Sequence, residues 1–203
     1  MITIIDYGAG NLFSVQNALS FLGFESRISS EIKDIQSADR LILPGVGAFS
    51  DAMDKLEASG LTETVKSEAK KKPFLGICLG MQMLFDKSYE FGEKEGLGLI
   101  HGTVEQMKPE GGLVIPHIGW NALEMNEPCI LLENLNNGDY VYFVHSFAAK
   151  CDTKDVAAYT NYGGNVTACV ESGMIFGCQF HPEKSGEAGL KILRSFAEMK
   201  VTE

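Results

Sequence analysis

The sequence predicts an α/β protein: a central, mostly parallel sheet flanked by helices, with additional antiparallel strands in the second half. Three observations carry this reading. Short apolar runs rich in β-branched residues alternate with helical spacings through the first half of the chain. From Leu97 onward the pattern changes to many short β-rich stretches. Between the two, an apolar run opens directly into a helical pattern through Gly76-Ile77-Cys78-Leu79-Gly80. Strand–helix alternation implies parallel strands covered on both faces. Short strands split by turn residues imply hairpins.

Each element follows from its residues. Ile2–Ile5 is a β-branched strand that ends in the turn Asp6-Tyr7-Gly8-Ala9-Gly10-Asn11. Leu12, Val15, Leu19 and Leu22 then recur at helical spacing. Ser26–Ser29 reads as a second strand and residues 40–43 as a third, closed by Pro44-Gly45-Val46-Gly47. Ser50 is placed to cap a helix through Leu56, which Gly60 stops. Residues 61–72 read as a helix with a basic last turn, suited to the helix dipole. Residues 73–77 form a buried strand and residues 79–87 a helix. Strands follow at 99–107, 120–123, 140–147, 156–159, 165–171 and 174–180, with turns at Asn136-Asn137-Gly138 and Tyr162-Gly163-Gly164. Ser185 caps a closing helix with Leu190, Leu193 and Ala197 on its apolar face. Neither a repeat nor a linker interrupts the chain, so residues 1–203 read as one domain.

Composition narrows the function classes. Seventeen Lys and Arg against 27 Asp and Glu give a net charge of −10. That balance argues against a sequence-independent nucleic-acid binder and against a partner of anionic membranes. The five cysteines form no C-x-x-C pair, which speaks against a disulfide framework or a zinc knuckle. The amino terminus has no basic region, Arg27 being the first Lys or Arg, so a first strand is expected in place of a leader, and a cytoplasmic location with it.

Three segments carry chemistry. A cysteine at the Cys78 turn stands at the mouth of a strand-to-helix elbow, where a helix amino terminus favours the thiolate. A bland alternative is a buried thiol at a strand end. A thiolate nucleophile needs a base and the base needs an orienting group. His181 and Glu183 in Gln179-Phe180-His181-Pro182-Glu183-Lys184-Ser185 lie two apart at a strand end, which would project them to one side. Hydrolysis of an amide also needs N–H donors aimed at an oxyanion. The Gly45-Val46-Gly47 loop and the amide of Leu79 could supply them, although an ordinary strand-to-helix turn looks the same in sequence.

These three elements, in this order, resemble the class I (triad) glutamine amidotransferase family, whose members carry P-G-x-G, then G-x-C-x-G, then H-P-E. The resemblance implies a nucleophile, base and acid at Cys78, His181 and Glu183. Four segments look like one branch of that family, which passes ammonia from glutamine to a (β/α)8-barrel cyclase-synthase partner in histidine biosynthesis. They are Asp6-Tyr7-Gly8-Ala9-Gly10-Asn11, Gly45-Val46-Gly47-Ala48-Phe49, Pro116-His117-Ile118-Gly119-Trp120-Asn121 and His181-Pro182-Glu183-Lys184-Ser185. The resemblance further implies an oxyanion hole at Val46 and Leu79. It implies glutamine contacts at Gly45, Gly47, Gln82, Glu90, His145, Ser146 and Phe147. Phe147 stands where the family has tyrosine as often, so no hydroxyl acts there. Asn11, Trp120, Tyr142 and Lys184 match positions facing the partner. No metal or organic cofactor is implied. Two alternatives stay open: a glutaminase subunit of another pathway, such as amidino-sugar formation, and a non-catalytic binding module on the same fold.

Overall fold

The computed structural model describes residues 1–199. The elements are β1 (Ile2–Ile5), α1 (Leu12–Phe21), β2 (Ser26–Ser29), α2 (Ile32–Ser37), β3 (Arg40–Gly45), α3 (Phe49–Ala58), α4 (Thr62–Glu68), β4 (Phe74–Cys78) and α5 (Leu79–Gln82). The second half contains β5 (Phe85–Ser88), β6 (Lys94–Glu95), β7 (Ile100–Gln106), β8 (His117–Ala122), β9 (Glu124–Met125), β10 (Tyr140–His145) and β11 (Phe147–Cys151). It closes with β12 (Val156–Asn161), β13 (Asn165–Ser172), β14 (Ile175–Cys178) and α6 (Gly186–Glu198).

Eight strands form the main sheet in the order β2-β1-β3-β4-β14-β13-β12-β9. The first five run parallel, and β13, β12 and β9 add antiparallel strands at one side. A four-stranded sheet, β11-β7-β5-β6, and the pair β10-β8 complete the second half. The expected architecture is therefore the observed one.

Strand alternation divides the core. Ile4, Ile42 and Leu75 point to one face, where Val15 and Leu19 of α1 and Ile192, Leu193 and Phe196 of α6 cover them. Ile5, Leu41, Leu43 and Phe74 point to the other, against Ile35 of α2, Met53 and Leu56 of α3 and Val65 of α4. Successive strand residues face opposite ways, so near-continuous apolar runs are what a sheet buried on both sides requires. No helix among the described residues is long and apolar enough to cross a membrane.

Several expected boundaries are corrected. Helix α3 begins at Phe49 with Ala48 at the cap position, so Ser50 lies inside it. Gly60, at φ +73°, ends it as anticipated. The helix read at 61–72 covers only Thr62–Glu68. The helix read at 79–87 is a single turn, Leu79–Gln82, after which Phe85–Ser88 enters the second sheet beside β7. An apolar run that satisfies a helical face also satisfies a buried strand, and tertiary pairing decided it. The strand read at 140–147 is two, broken at Ser146, with β10 paired to β8 and β11 to β7.

Candidate active site

The register of the parallel strands assembles the site. Gly45 at the end of β3 pairs beside Cys78 at the end of β4, and Cys178 of β14 lies beside Ile77. His181 follows three residues after β14 ends, so it arrives on the same carboxyl edge as Cys78. This is the edge where open α/β sheets bind ligands.

Cys78 has φ +54° and ψ −111°, a conformation that non-glycine residues rarely adopt. The surrounding packing imposes it. A Cβ on Gly80 would stand 1.8 Å from the Leu43 carbonyl oxygen. On Gly76 it would stand 2.6 Å from the Gly80 carbonyl oxygen, and on Gly45 2.8 Å from the Gly80 nitrogen. These glycines let three backbone segments touch beneath the cysteine. The Cys78 turn is thus over-determined from below. Its following helix has one turn, so the field expected of a long helix is reduced to a few amides.

His181 is buried, and its Nδ1 lies 2.8 Å from Glu183 Oε1. The sequence pairing is right but its geometric reason is corrected. Pro182–Lys184 is a 3₁₀ turn, and it is this turn, not strand alternation, that folds Glu183 back onto the ring. With Glu183 accepting at Nδ1, the Nε2 of His181 has no protein partner among the described residues and is left for Cys78 and a substrate. Burial opposes charge on His181. Cys78 and Glu183 on either side outweigh it and raise its pKa to about 9.

A cavity of about 320 Å³ opens over Cys78. Val46, Gly47, Leu79, Gln82, Glu90, His145, Ser146, Phe147 and His181 all border it. Gly45 lies one layer below, against Gly80 and the Tyr7 hydroxyl. A larger cleft of about 780 Å³ shares only the Phe147 wall with this cavity and holds none of Cys78, His181 and Glu183. Glu90 also caps α3, accepting from the Phe49 N–H at 2.7 Å. Gln82 donates to the Phe147 carbonyl and to Gln179 Oε1, both at 3.0 Å.

Three residues outside the sequence prediction contribute. Gln179 is fully buried and turns its amide toward Cys78 Sγ at 3.9 Å. The period-two argument applied to His181 would have found it. Ser185 makes no cap bond; its hydroxyl donates to the His181 carbonyl at 2.6 Å and accepts from the Tyr142 N–H at 2.9 Å. Tyr7 donates to the Pro44 carbonyl at 3.0 Å, holding the end of β3 just before the Val46-Gly47 turn. Burial and the charge of Cys78 both push its phenol up.

The positions expected to face a partner form one surface. Trp120 and Tyr142 are cross-strand neighbours, their rings edge-on at 6.0 Å, and Trp120 is 51% exposed. Ile118, 58% exposed, extends the patch along β8. Lys184 is exposed beside it. Asn11 is half-buried and its Nδ2 donates to Glu183 Oε1 at 3.1 Å, which ties it to the site as well as to the surface.

Comparison with known proteins identifies the family. The family description "Glutamine amidotransferase class-I" matches residues 3–199. The chain is 51% identical over 201 residues to "Imidazole glycerol phosphate synthase subunit HisH" of Caldanaerobacter subterraneus subsp. tengcongensis, covering 98% of each chain. It is 48% identical over 200 residues to the protein of the same description in Listeria innocua, covering 98% of this chain and 96% of that one. Among solved structures, one described as glutamine amidotransferase superposes with a TM-score of 0.76 at 19% identity over 98% of both chains. PurLQS from Thermotoga maritima superposes with a TM-score of 0.74 at 22% identity over 96% of both. At those identities the structures speak for the fold alone, while the family match and the full-length relatives speak for descent: this chain belongs to the class I glutamine amidotransferase family.

Proposed function

We propose that this chain, residues 1–203 acting as one amidotransferase domain, is the glutaminase subunit of an imidazole glycerol phosphate synthase. The observation that carries the chemistry is the buried His181–Glu183 pair beside Cys78, with one imidazole nitrogen left for the reacting atoms. The thiolate of Cys78 attacks the side-chain carboxamide carbon of glutamine, forming a C–S bond. The carbonyl electron pair moves onto oxygen, where the N–H groups of Val46 and Leu79 receive it. As the carbonyl re-forms, the C–N bond breaks and His181 protonates the departing nitrogen, giving ammonia and a glutamyl thioester. Water then loses a proton to His181 and attacks the thioester. The C–S bond breaks, the thiolate returns and glutamate leaves.

Ammonia is protonated in bulk water and loses its nucleophilicity, so it must pass directly to its acceptor. The exposed patch of Ile118, Trp120, Tyr142 and Lys184 suits a (β/α)8-barrel cyclase-synthase seated over the site. Identities near 50% with full-length relatives of the histidine branch favour this partner over an amidino-sugar pathway, and the intact Cys78, His181 and Glu183 set disfavours a mere binding module. Complementation of a histidine auxotroph lacking its own glutaminase subunit tests the pathway. Failure of a soluble, well-expressed chain to restore growth would count against it.

A further inference from the structure

His117 and His145 are cross-strand partners at the ends of β8 and β10, and the reaction above uses neither. Nδ1 of His117 lies 3.2 Å from Nε2 of His145. Each ring meets an oxygen at its outer end. His117 Nε2 is 3.0 Å from Asn121 Oδ1, and His145 Nδ1 is 2.8 Å from the Phe147 carbonyl oxygen. The orientation of Asn121 is fixed by its own amide, whose Nδ2 donates to the Asn161 carbonyl at 2.9 Å. Both outer oxygens accept and cannot donate, so both outer ring nitrogens must carry a hydrogen. The contact between the rings needs a third. Two neutral imidazoles hold only two.

We propose that His117 and His145 share one additional proton, forming a buried imidazole–imidazolium pair that positions the Ser146–Phe147 wall of the glutamine pocket. The proton count stands on geometry alone; the role in the pocket rests on the glutaminase reading.

A second observation places the charge. His117 is sandwiched between two aromatic rings, Phe143 at 4.8 Å and Tyr162 at 3.9 Å, both within 20° of parallel. The Tyr162 hydroxyl donates to the Val114 carbonyl at 2.7 Å, so that ring is held in place. Faces of aromatic rings attract a cation. Burial drives the proton off both rings, and His145 falls to about 4 because it is buried and faces both His117 and His181. The sandwich and the Asn121 oxygen act in the opposite sense at His117, where the charge therefore rests. The other titratable groups around the pair are Cys78 and Glu90, which line the pocket with His145, and the Tyr162 phenol.

The consequence reaches the substrate wall. The Phe147 carbonyl accepts from His145 Nδ1 and from Gln82 Nε2, so its peptide is clamped from two sides. The bond from His145 strengthens when its partner ring is charged, because hydrogen bonds polarise one another along a chain. Among the described residues no Lys or Arg lines the cavity, yet glutamine brings an α-carboxylate. A cation one ring behind the wall supplies favourable charge without a competing donor inside the pocket.

Histidine-selective ¹⁵N labelling of the full chain at pH 7 decides the proton count. Long-range ¹H–¹⁵N spectra are expected to show His117 protonated on both nitrogens and three ring N–H groups across the pair. Two neutral rings, each with one bare nitrogen, would overturn the proposal. This measurement needs no turnover, so it is independent of the glutaminase reading, which fails separately if the wild-type chain with its partner releases no glutamate. The role in the pocket is tested with His117→Phe, assayed in complex with the cyclase. The KM for glutamine is expected to rise roughly 10- to 100-fold, the scale of a lost hydrogen bond to a charged group, with a smaller change in kcat. A folded His117→Phe chain with unchanged KM overturns the positioning role. If that variant does not fold, His145→Gln, which keeps a donor toward Phe147, is expected to retain a KM closer to wild type than His145→Ala; equal values overturn the role.

Discussion

Asn11 and His181 donate to the same oxygen: Glu183 Oε1 accepts from Asn11 Nδ2 at 3.1 Å and from His181 Nδ1 at 2.8 Å. The carboxylate that holds the His181 ring is itself held from the first strand-to-helix turn. Glu183→Gln should lower glutamine hydrolysis ~10²–10⁴-fold, the range of a lost triad orienter. Asn11→Ala removes one of the two bonds and should cost roughly 10-fold. Steady-state assays of both variants with the partner present check the order. A fully active Glu183→Gln chain removes Glu183 from the mechanism.

Cys78→Ala should abolish hydrolysis and leave the fold intact, because a small side chain replaces a small one on a backbone fixed from below. Added ammonia should still let the cyclase form product. A glutamine-analogue electrophile should label Cys78 and spare the rest. Burial and the carboxylates of Asp155 and Asp152 hold the Cys151 thiol up at about 11. A hydrogen bond with Cys169, together with burial, pushes Cys129 up as well. Mass spectrometry after brief labelling reads the site, and modification spread over several cysteines would refute the assignment.

The pKa of His181 is raised in the folded chain to about 9 from an unfolded value near 6.5. The stability it contributes is therefore complete below about 6.5 and is lost as pH rises through about 9. Thermal unfolding midpoints should fall across this window in the wild type. The fall should be shallower in Glu183→Gln, which removes one of the groups that raise the pKa. Parallel slopes for the two proteins would show that His181 is not the titrating group.

Gly80→Ala should be severely destabilising. Its Cβ would stand 1.8 Å from the Leu43 carbonyl oxygen, which is backbone in the middle of a parallel sheet and has nowhere to go. A loss of about 3 kcal/mol or more is expected, as for other changes that force a clash in a packed core. That corresponds to a drop of roughly 6–12 °C in Tm for a chain of this size. Circular dichroism melts suffice, and a change under about 2 °C would show that the elbow has slack.

The free chain should hydrolyse glutamine slowly. Val46 stands between two glycines, Gly47 at φ +101°, and its side chain is 46% exposed, so the peptide can reorient at little cost. With its N–H turned away the oxyanion lacks a donor, a loss worth ~10²–10³ in rate. Partner and ligand binding should restore that donor and raise kcat more than they lower KM. Kinetics with and without the cyclase distinguish the cases, and activation confined to KM would sink this account.

The parts of the site that were legible in sequence are those compressed into short, conformationally demanding segments. Cys78 announces itself through the two glycines of its elbow. His181 and Glu183 announce themselves by a two-residue spacing, although a 3₁₀ turn brings them together. The contributions of Ser185 and Asn121 were hidden because each depends on tertiary placement; strand alternation gives the side on which Gln179 lies, and only its contact with Cys78 depends on tertiary placement. Gln179 meets Cys78 across 101 residues and Ser185 meets Tyr142 across 43. The apolar run after Cys78 misled for a physical reason: Leu84 and Phe85 are fully buried, which a helix face and a covered strand allow equally. Helix α2 went unseen because a six-residue segment with only Ile35 buried has no periodicity to read.

Both backbone polar groups of Tyr142 are spoken for by the segment that holds the imidazole. Its carbonyl accepts from the His181 N–H at 3.0 Å, and its N–H donates to Ser185 Oγ, which in turn donates to the His181 carbonyl. The surface strand and His181 are thus a single mechanical part, a lever whose outer arm carries the Tyr142 ring and whose inner arm ends at Nε2. Whatever presses on the outer arm re-aims the inner one. Under the proposed mechanism, redesigning this strand to accept a different protein should therefore retune the proton transfer at the same stroke, and selection on either property would constrain the other.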